Sequence, residues 1–336
     1  MYSIIRIFIL GGALIQAVPL TTHPELPEKD IEEPSVPNED IIDLSFYGAA
    51  LYGKPDRGLT AERVSNFSAE TDNVNPEELG SYLEGDILIP QVTMRNGVAN
   101  YSLRWPNGVI PYEIRGSFNA YELSSIREAM NDYHLFTCIR FVPHNNESDF
   151  VIISDDGSGC WSTVGRKGGQ QIVNLQTPGC FRRPGTVIHE LMHAVGFLHE
   201  QSRMERDDFV IIMPQNIRPR NLRNFRRVNK TAAFGVKYDF DSVMHYSSRA
   251  FSLNGEQTMV ARVEENTVRM GQRFGFSDLD VEKINRMYNC SGYRVTDPTL
   301  LPTTIDSSEN PDVDNWLNSV LSKLGLEDGR PELVTP

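Results

Sequence analysis

The stretch that most constrains the fold is 189–200, which reads HELMHAVGFLHE. On an α-helix, side chains four residues apart share a face, so His189 and His193 can direct ring nitrogens to one metal ion. If the helix continued, His199 would lie about 9 Å further along its axis than His193, at about 1.5 Å per residue. The chain must therefore turn back, and Gly196 can take a positive φ there without strain. The spacing predicts a helix, a sharp turn and a third ligand.

Three neutral histidines that leave one coordination position open are the ligand set of a catalytic zinc ion. Zinc lowers the pKa of a bound water toward about 7. Glu190 lies beside the first histidine and can reach such a water as a general base. The alternative, histidines of the core or surface that lie close together by chance, is weakened by Gly196 and His199 at their fixed offsets. We expect one zinc ion, held by His189, His193 and His199.

A second motif, SVMHY at 242–246, supplies the methionine turn that follows this histidine pattern in metzincins. Together with Glu200 directly after the third histidine, and with WPNGVIPY at 105–112, it resembles the astacin family of metzincin proteases. The resemblance is close from Trp105 to Cys290. It implies an α+β, two-lobed, zincin-like catalytic domain. The N-terminal lobe would hold a twisted mixed sheet and the active-site helix, and the C-terminal lobe would be largely irregular with one late helix.

Hydrophobic periodicity predicts the individual elements. Strands are expected at 109–114, 150–153 and 171–175, and helices at 120–136, 186–195 and 278–288. Ahead of the domain, we expect a short helical stretch at about 76–83 and a strand-like segment at 85–90.

The resemblance also implies an activity, zinc-dependent hydrolysis of protein or peptide substrates by an endopeptidase in which Glu190 acts on zinc-activated water. Tyr246 would be an additional zinc ligand that swings away to stabilise the tetrahedral intermediate, and Met244 would pack beneath the metal. In astacins, the edge strand around Gln170–Asn174 binds substrate in an extended form, main chain to main chain.

Specificity is expected to involve Arg273. It belongs to a Gly-Gln-Arg sequence shortly before the final predicted helix, where the astacin S1′ pocket is lined. By resemblance, this arginine favours acidic residues after the scissile bond (P1′). The alternative is that Arg273 only pairs with a nearby acid such as Asp278 or Asp280.

Latency is implied by LEGD at 83–86, which matches the Phe-x-Gly-Asp element of astacin precursors except that Leu83 replaces phenylalanine. In that element the aspartate, here Asp86, binds the zinc ion and displaces its water. Activation would follow cleavage between Arg95 and Asn96. The single basic residue favours a trypsin-like activator, and the new amino terminus would then contact Glu200.

The first residues are typical of a secretory signal, with Arg6 before an apolar run and Ala17 at a cleavage position. A membrane anchor is the alternative, but the run is shorter than the roughly 20 residues that span a bilayer. We expect a signal peptide at 1–17, an inhibitory pro-segment at 18–95, a catalytic domain at 96–290 and a flexible acidic tail at 291–336. The predicted protein is extracellular, has no membrane anchor and is monomeric.

The four cysteines are expected to form two disulfides in an oxidising compartment, and the sequence alone permits three connectivities. A zinc site built from them is the weaker alternative, because no pair has Cys-x-x-Cys spacing. The resemblance implies the pairs Cys138–Cys290 and Cys160–Cys180. Glycosylation motifs occur at Asn66, Asn100, Asn146, Asn229 and Asn289, and the last is set aside because its middle residue, Cys290, is expected to form a disulfide.

Three other functions fit the sequence less well. A catalytically inactive metzincin that serves as a binding protein is disfavoured because Glu190 is present. An amidase is disfavoured by the methionine turn and the pro-segment. The basic cluster at 218–230 raises nucleic-acid binding, but residues 96–290 carry 23 Lys and Arg against 21 Asp and Glu. In a secreted chain this cluster indicates a solvated face or a site for acidic proteins, so no nucleic-acid partner is expected.

Overall fold

The computed structural model of the chain describes residues 41–42, 54–88, 103–228 and 233–291. The helices are α1 (Arg57–Ser65), α2 (Ala120–Phe136), α3 (Pro184–Val195) and α4 (Asp278–Tyr288). The strands are β1 (Ile41–Ile42), β2 (Val109–Arg115), β3 (Arg140–Pro143), β4 (Phe150–Ser154), β5 (Cys160–Ser162), β6 (Gln170–Leu175), β7 (Val210–Ile212), β8 (Arg227–Val228) and β9 (Met259–Ala261).

Helices α2 and α4 each begin at a capping box. The Asn119 side chain accepts a hydrogen bond from the backbone of Glu122, whose carboxylate accepts one from the Asn119 N–H. Ser277 and Asp280 form the same reciprocal box at the start of α4. Such boxes satisfy two amide groups that the helix itself leaves unpaired, so the bounds of α2 and α4 coincide with those predicted.

A mixed five-stranded sheet forms the first lobe, in the order β3-β2-β4-β6-β5. Strand β5 is antiparallel to β6, and the other pairs are parallel. The expectation that Gln170–Asn174 is the edge strand is wrong, because β5 pairs with that segment along 173–175 and itself forms the edge. Helices α2 and α3 pack together, and their apolar faces share one core with the sheet. The α+β fold class is confirmed.

After α3 the chain is largely irregular, as expected, with short 3₁₀ turns and the antiparallel pair β7–β9. A smaller hydrophobic cluster lies here and includes Tyr246, Phe225 and Phe251. The Cys138–Cys290 disulfide links the end of α2 to the end of α4, and Cys160–Cys180 closes the segment that contains β5 and β6. These are the pairs implied by the resemblance.

Residues 54–88 lie against the catalytic fold at several places. Helix α1, which was not predicted, packs on the 159–180 segment so closely that a Cβ at Gly179 would lie 2.3 Å from the Val64 carbonyl oxygen. The helix expected at 76–83 is wrong apart from a 3₁₀ turn at Glu77–Leu79. Residues 86–88 pair with Ser162 of the edge strand in parallel, through N–H···O distances of 2.8 Å in both directions.

Several expectations fall outside the described residues: the signal peptide 1–17, Arg95, Asn96, Asn100, Asn229 and, apart from its first residue, the tail 291–336. Asn66 and Asn146 are described, and both are exposed. None of the helices in the described ranges has the length and apolar character needed to cross a membrane.

Candidate metal centre

The three predicted histidines converge in the interior. His189 and His193 lie on α3, and His199 follows the turn after the helix; all three are at most 1% exposed. Gly196 ends α3 with φ of 130°, a conformation that favours glycine. The turn brings the ring centroids to 4.7–5.2 Å from one another. The predicted helix, reversal and third histidine therefore occur together.

Each histidine uses its Nδ1 for an acceptor within the chain. His189 Nδ1 is 2.7 Å from the Val243 carbonyl oxygen, and His193 Nδ1 is 2.7 Å from the Phe197 carbonyl oxygen. His199 Nδ1 is 2.7 Å from Glu84 Oε2. An Nδ1–H that donates to oxygen fixes the neutral tautomer with a lone pair on Nε2, which orients that atom as a metal ligand.

The methionine turn supplies part of this support. Ser242 Oγ donates to Asp280 and accepts from the Met244 N–H, which holds the turn against α4. The Val243 carbonyl is thereby placed for His189. Met244 is buried in the main core, and its carbonyl oxygen accepts the Glu200 N–H.

Asp86 enters the centre from the segment 54–88, which was expected to be the pro-segment. Its Oδ2 lies 3.1 Å from Nε2 of both His189 and His199, and its Oδ1 lies 3.5 Å from His193 Nε2. Glu84 and Gly85 have φ of 50° and 97°, and this tight turn delivers the carboxylate. A Cβ on Gly85 would also lie 3.0 Å from the Glu77 carbonyl oxygen, so the second turn position requires glycine.

These four side chains fit a zinc ion. One ligating atom from each lies within 4.8 Å of the others, and all four residues are buried. Asp86 Oδ1 and His193 Nε2 have no hydrogen-bond partner among the described residues, although both are buried. A cation between them would satisfy both atoms, and three imidazole nitrogens with one carboxylate oxygen suit tetrahedral zinc.

The electrostatics of the cluster also favour a cation. Burial lowers the pKa of His189 to about 4, which keeps that ligand neutral. Burial opposes charge on His199 as well, but Asp86 and Glu84 raise its pKa to about 10. Burial opposes ionisation of Asp86, yet His199 and His193 hold its pKa well below the usual range. The cluster thus favours positive charge beside an ionised Asp86, and a divalent metal ion supplies that charge.

Glu190 is fully buried beside this cluster, and neither carboxylate oxygen has a hydrogen-bond partner within the described ranges. Burial raises its pKa well above the usual value, and the nearby charges of Asp86 and Glu77 raise it further. A buried carboxylate oxygen with no protein partner is an acceptor available to a water molecule.

Tyr246 packs against His199, with ring centroids 4.7 Å apart. Its hydroxyl donates to the Glu84 carbonyl oxygen across 2.5 Å. The pro-segment therefore holds this hydroxyl while Asp86 lies among the histidines.

Glu200 binds two buried cations. Its Oε1 accepts from Arg203 Nη1 at 2.6 Å and from the Asp239 N–H at 2.9 Å, and its Oε2 accepts from Lys283 Nζ at 2.8 Å. The predicted contact with a new amino terminus involves residue 96, which lies outside the described ranges.

Arg273 is buried and pairs with Glu77 of the pro-segment, with Nε 2.5 Å from Oε1. The alternative that it pairs with Asp278 or Asp280 is wrong, because among the described residues its ion pair is with Glu77, while Asp280 pairs with Lys283 at 3.2 Å. The Arg273 guanidinium faces Glu77 of the segment 54–88.

Sequence reasoning missed Glu77, Glu84 and Thr186. The Nδ1–H of a third histidine ligand needs a hydrogen-bond acceptor, so an oxygen atom near His199 Nδ1 could be anticipated. Its identity could not, because Glu84 is more than one hundred residues from His199 in sequence and meets it only through the tertiary fold.

Comparison with known proteins agrees with this geometry. The profile of the peptidase family described as Astacin matches residues 97–289. Zinc metalloproteinase nas-4 of Caenorhabditis elegans is 41% identical over 227 residues, which are 64% of this chain and 71% of the relative. Zinc metalloproteinase nas-7 of the same species is 43% identical over 218 residues, or 64% of this chain and 56% of the relative.

Among solved structures, high choriolytic enzyme 1, a hatching enzyme zinc-protease from Oryzias latipes, is 40% identical with a TM-score of 0.52. The match covers 56% of this chain and 93% of that one. This chain thus spans between 56% and 71% of the two curated relatives. Since the family profile covers more than half of it, the chain belongs to the astacin family of zinc metalloendopeptidases.

Proposed function

We propose that the chain is the latent precursor of a zinc endopeptidase in which His189, His193 and His199 hold the metal and Asp86 blocks it. The observation that carries this proposal is the buried Asp86 carboxylate, 3.1 Å from two Nε2 atoms and 3.5 Å from the third. With zinc held by three neutral imidazoles, this ionised carboxylate would occupy the position that a catalytic zinc site leaves open for water.

Catalysis follows from the groups around that position. Zinc, when bound, supplies a Lewis acid that activates water and polarises the substrate carbonyl. Glu190 takes a proton from the attacking water and passes it to the leaving amine. Tyr246, released from the Glu84 carbonyl, donates its hydroxyl to the developing oxyanion.

Activation removes the groups that block the cleft. A trypsin-like protease cuts between Arg95 and Asn96, which frees the zinc position, and the new amino terminus contacts Glu200. The chain is made with a signal peptide at 1–17 and a pro-segment at 18–95, followed by the catalytic domain 96–290 and a flexible tail. We propose a secreted, monomeric glycoprotein without a membrane anchor, glycosylated at Asn66, Asn100, Asn146 and Asn229.

The substrates are proteins or peptides with an acidic side chain after the scissile bond. A guanidinium can hold a carboxylate through charge-assisted hydrogen bonds in a fixed orientation. Arg273 is buried, and its partner is already a carboxylate. Both features support a role for Arg273 in acidic P1′ recognition.

The blocking role of Asp86 is tested in a precursor made resistant to activation by Arg95→Gln. Asp86→Ala should raise basal peptidase activity by about 10-fold or more, because a tethered ligand that occupies a site suppresses it strongly. Glu70→Ala, which removes an exposed carboxylate of the same segment, is the matched control. If the zinc-loaded variant with both Arg95→Gln and Asp86→Ala had a basal activity as low as that of Arg95→Gln alone, Asp86 would have no blocking role.

A further inference from the structure

The contact between Glu77 and Arg273 connects the pro-segment to the catalytic fold at a second buried point. Glu77 is 1% exposed and Arg273 is 3% exposed. Glu77 Oε1 lies 2.5 Å from Arg273 Nε, and Thr186 Oγ1 donates to Glu77 Oε2 across 3.2 Å. One carboxylate is thus bound by a cation and a hydroxyl that both belong to the catalytic fold.

The catalytic fold positions Arg273 independently of Glu77. Its Nη1 donates to the carbonyl oxygens of Gln272 at 2.7 Å and His245 at 3.1 Å. Its backbone carbonyl accepts the Gly185 N–H at 2.7 Å, and a Cβ at Gly185 would lie 2.5 Å from the Arg273 carbonyl carbon. The first turn of α3 and the loop before α4 therefore fix the guanidinium in place.

The guanidinium is also incompletely paired. Nη2 of Arg273 is buried without a hydrogen-bond partner among the described residues. A buried donor that lacks an acceptor is costly. Glu77 therefore satisfies only part of this site, and a carboxylate in another orientation could use both Nε and Nη2.

The site is adjacent to the reaction centre. Thr186 precedes His189 by three residues on α3, so the two side chains share a face about 4.5 Å apart along the axis. Successive residues of an extended peptide rise by roughly 3.3 Å. The side chain next to a scissile bond at the metal can therefore reach the Arg273–Thr186 site.

We propose that Thr186 completes the carboxylate site that Arg273 offers to the residue after the scissile bond, and that Glu77 fills this site in the precursor. The pro-segment then blocks two positions, the metal with Asp86 and the specificity pocket with Glu77. This inference rests on the proposed peptidase function. It adds a specificity-determining residue, Thr186, and a second anchor of latency, Glu77.

The anchor is tested in the Arg95→Gln precursor with Glu77→Gln, Arg273→Gln and the double variant. Glu77→Gln should raise basal activity on a peptide with alanine at P1′ by about 10-fold or more, because the buried guanidinium loses its counter-ion. Adding Arg273→Gln should restore part of the latency, since no unpaired charge remains. The rate of amide hydrogen exchange in α1 is a readout that does not depend on catalysis. It should be fastest in Glu77→Gln, slower in the double variant and slowest in the parent. Glu70→Gln is the exposed control.

The specificity arm uses chains that retain Arg95 and are activated with trypsin. Thr186→Val should lower the kcat/KM preference for glutamate over glutamine at P1′ by about 10-fold, while Thr186→Ser keeps most of it. Arg273→Gln should lower it by about 100-fold. Activated Glu77→Gln should match the wild type, because the substitution leaves with the pro-segment.

The outcomes distinguish a failure of the peptidase function from a failure of the carboxylate site. An activated wild-type enzyme that cleaves no peptide would overturn the proposed function. A cleaving enzyme without acidic preference, or one whose preference survives both Thr186→Val and Arg273→Gln, would overturn only the carboxylate site. Additive effects of Glu77→Gln and Arg273→Gln, or a Glu77→Gln precursor as silent as its parent, would overturn the second anchor.

Discussion

At the scale of single residues, the hydrogen bond made by Nδ1 of each histidine fixes the orientation of the metal ligand. Val243 and Phe197 supply carbonyl acceptors to His189 and His193 from within the catalytic fold. His199 depends on Glu84, which would depart with the proposed pro-segment on activation. The third ligand is therefore the one whose orientation is most sensitive to activation.

Glu190→Gln should leave zinc binding intact and abolish proteolysis. The amide keeps the shape of the side chain but cannot take a proton, and loss of a general base costs about 100-fold or more. Zinc content and peptide hydrolysis of the activated variant measure the two effects. Glu282→Gln, at an exposed pair with Arg286 on α4, serves as the control. Near-normal hydrolysis by the Glu190 variant would contradict the mechanism.

Glu200 gives a prediction of pH dependence. Burial opposes its ionisation, but Lys283 and Arg203 lower its pKa below the ordinary value. The ionised carboxylate therefore stabilises the fold above the ordinary pKa, and this contribution is lost as the pH falls through the depressed one. Glu200→Gln should lower the free energy of unfolding at neutral pH by about 2 kcal/mol, as expected for hydrogen bonds between charged groups.

Urea unfolding of both chains between pH 3 and 8 measures this effect. The difference between wild type and Glu200→Gln should shrink toward the acidic end, where the wild-type carboxyl is protonated as well. A difference independent of pH would show that Glu200 acts through packing alone.

At the scale of elements, local signals explain which predictions succeeded. Helices α2 and α4 begin at reciprocal caps within four residues of sequence, and their predicted bounds match the structure. The edge strand was misplaced because β5 has only three residues and its pairing with 173–175 is a tertiary property. Helix α1 has a polar sequence and depends on the surface against which it packs, so periodicity could not reveal it.

That surface provides a test of pro-segment docking. Gly179→Ala places a Cβ 2.3 Å from the Val64 carbonyl oxygen in α1. The precursor should therefore be cut faster by trypsin and show higher basal activity, while the activated enzyme, which lacks Val64, should be normal. Gly157→Ala is the matched control, because its Cβ would meet no atom within 4 Å. A Gly179→Ala precursor as latent as the wild type would argue against a role for α1 in docking.

At the scale of the whole molecule, the pro-segment contributes to the core as well as to the site. Among its described residues, 54–88, the buried hydrophobic side chains are Val64, Phe67, Tyr82, Leu83 and Ile87. Leu83, which stands where the family element has phenylalanine, is 2% exposed. The sequence motif located Asp86, but the depth at which the segment is buried depends on contacts that only the folded chain displays.

Activation should therefore lower thermal stability. A segment that binds only the folded state stabilises that state. The melting temperature should fall by several degrees after cleavage, since about 1 kcal/mol corresponds to roughly 2–4 °C in a domain of this size. Calorimetry in the Glu190→Gln background avoids self-digestion. Equal melting temperatures would mean that the pro-segment contributes nothing to stability.

The contacts of residues 54–88 with the catalytic fold should also influence the enzyme after cleavage. Before the cut, the segment acts at a fixed effective concentration set by its covalent tether, whatever the amount of protein present. After the cut, the same contacts belong to a diffusible ligand and obey mass action. A concentrated sample should stay partly inhibited after complete cleavage, and dilution should increase the specific activity. The onset of proteolysis would then depend on how much the protein has been diluted as well as on when it was cut.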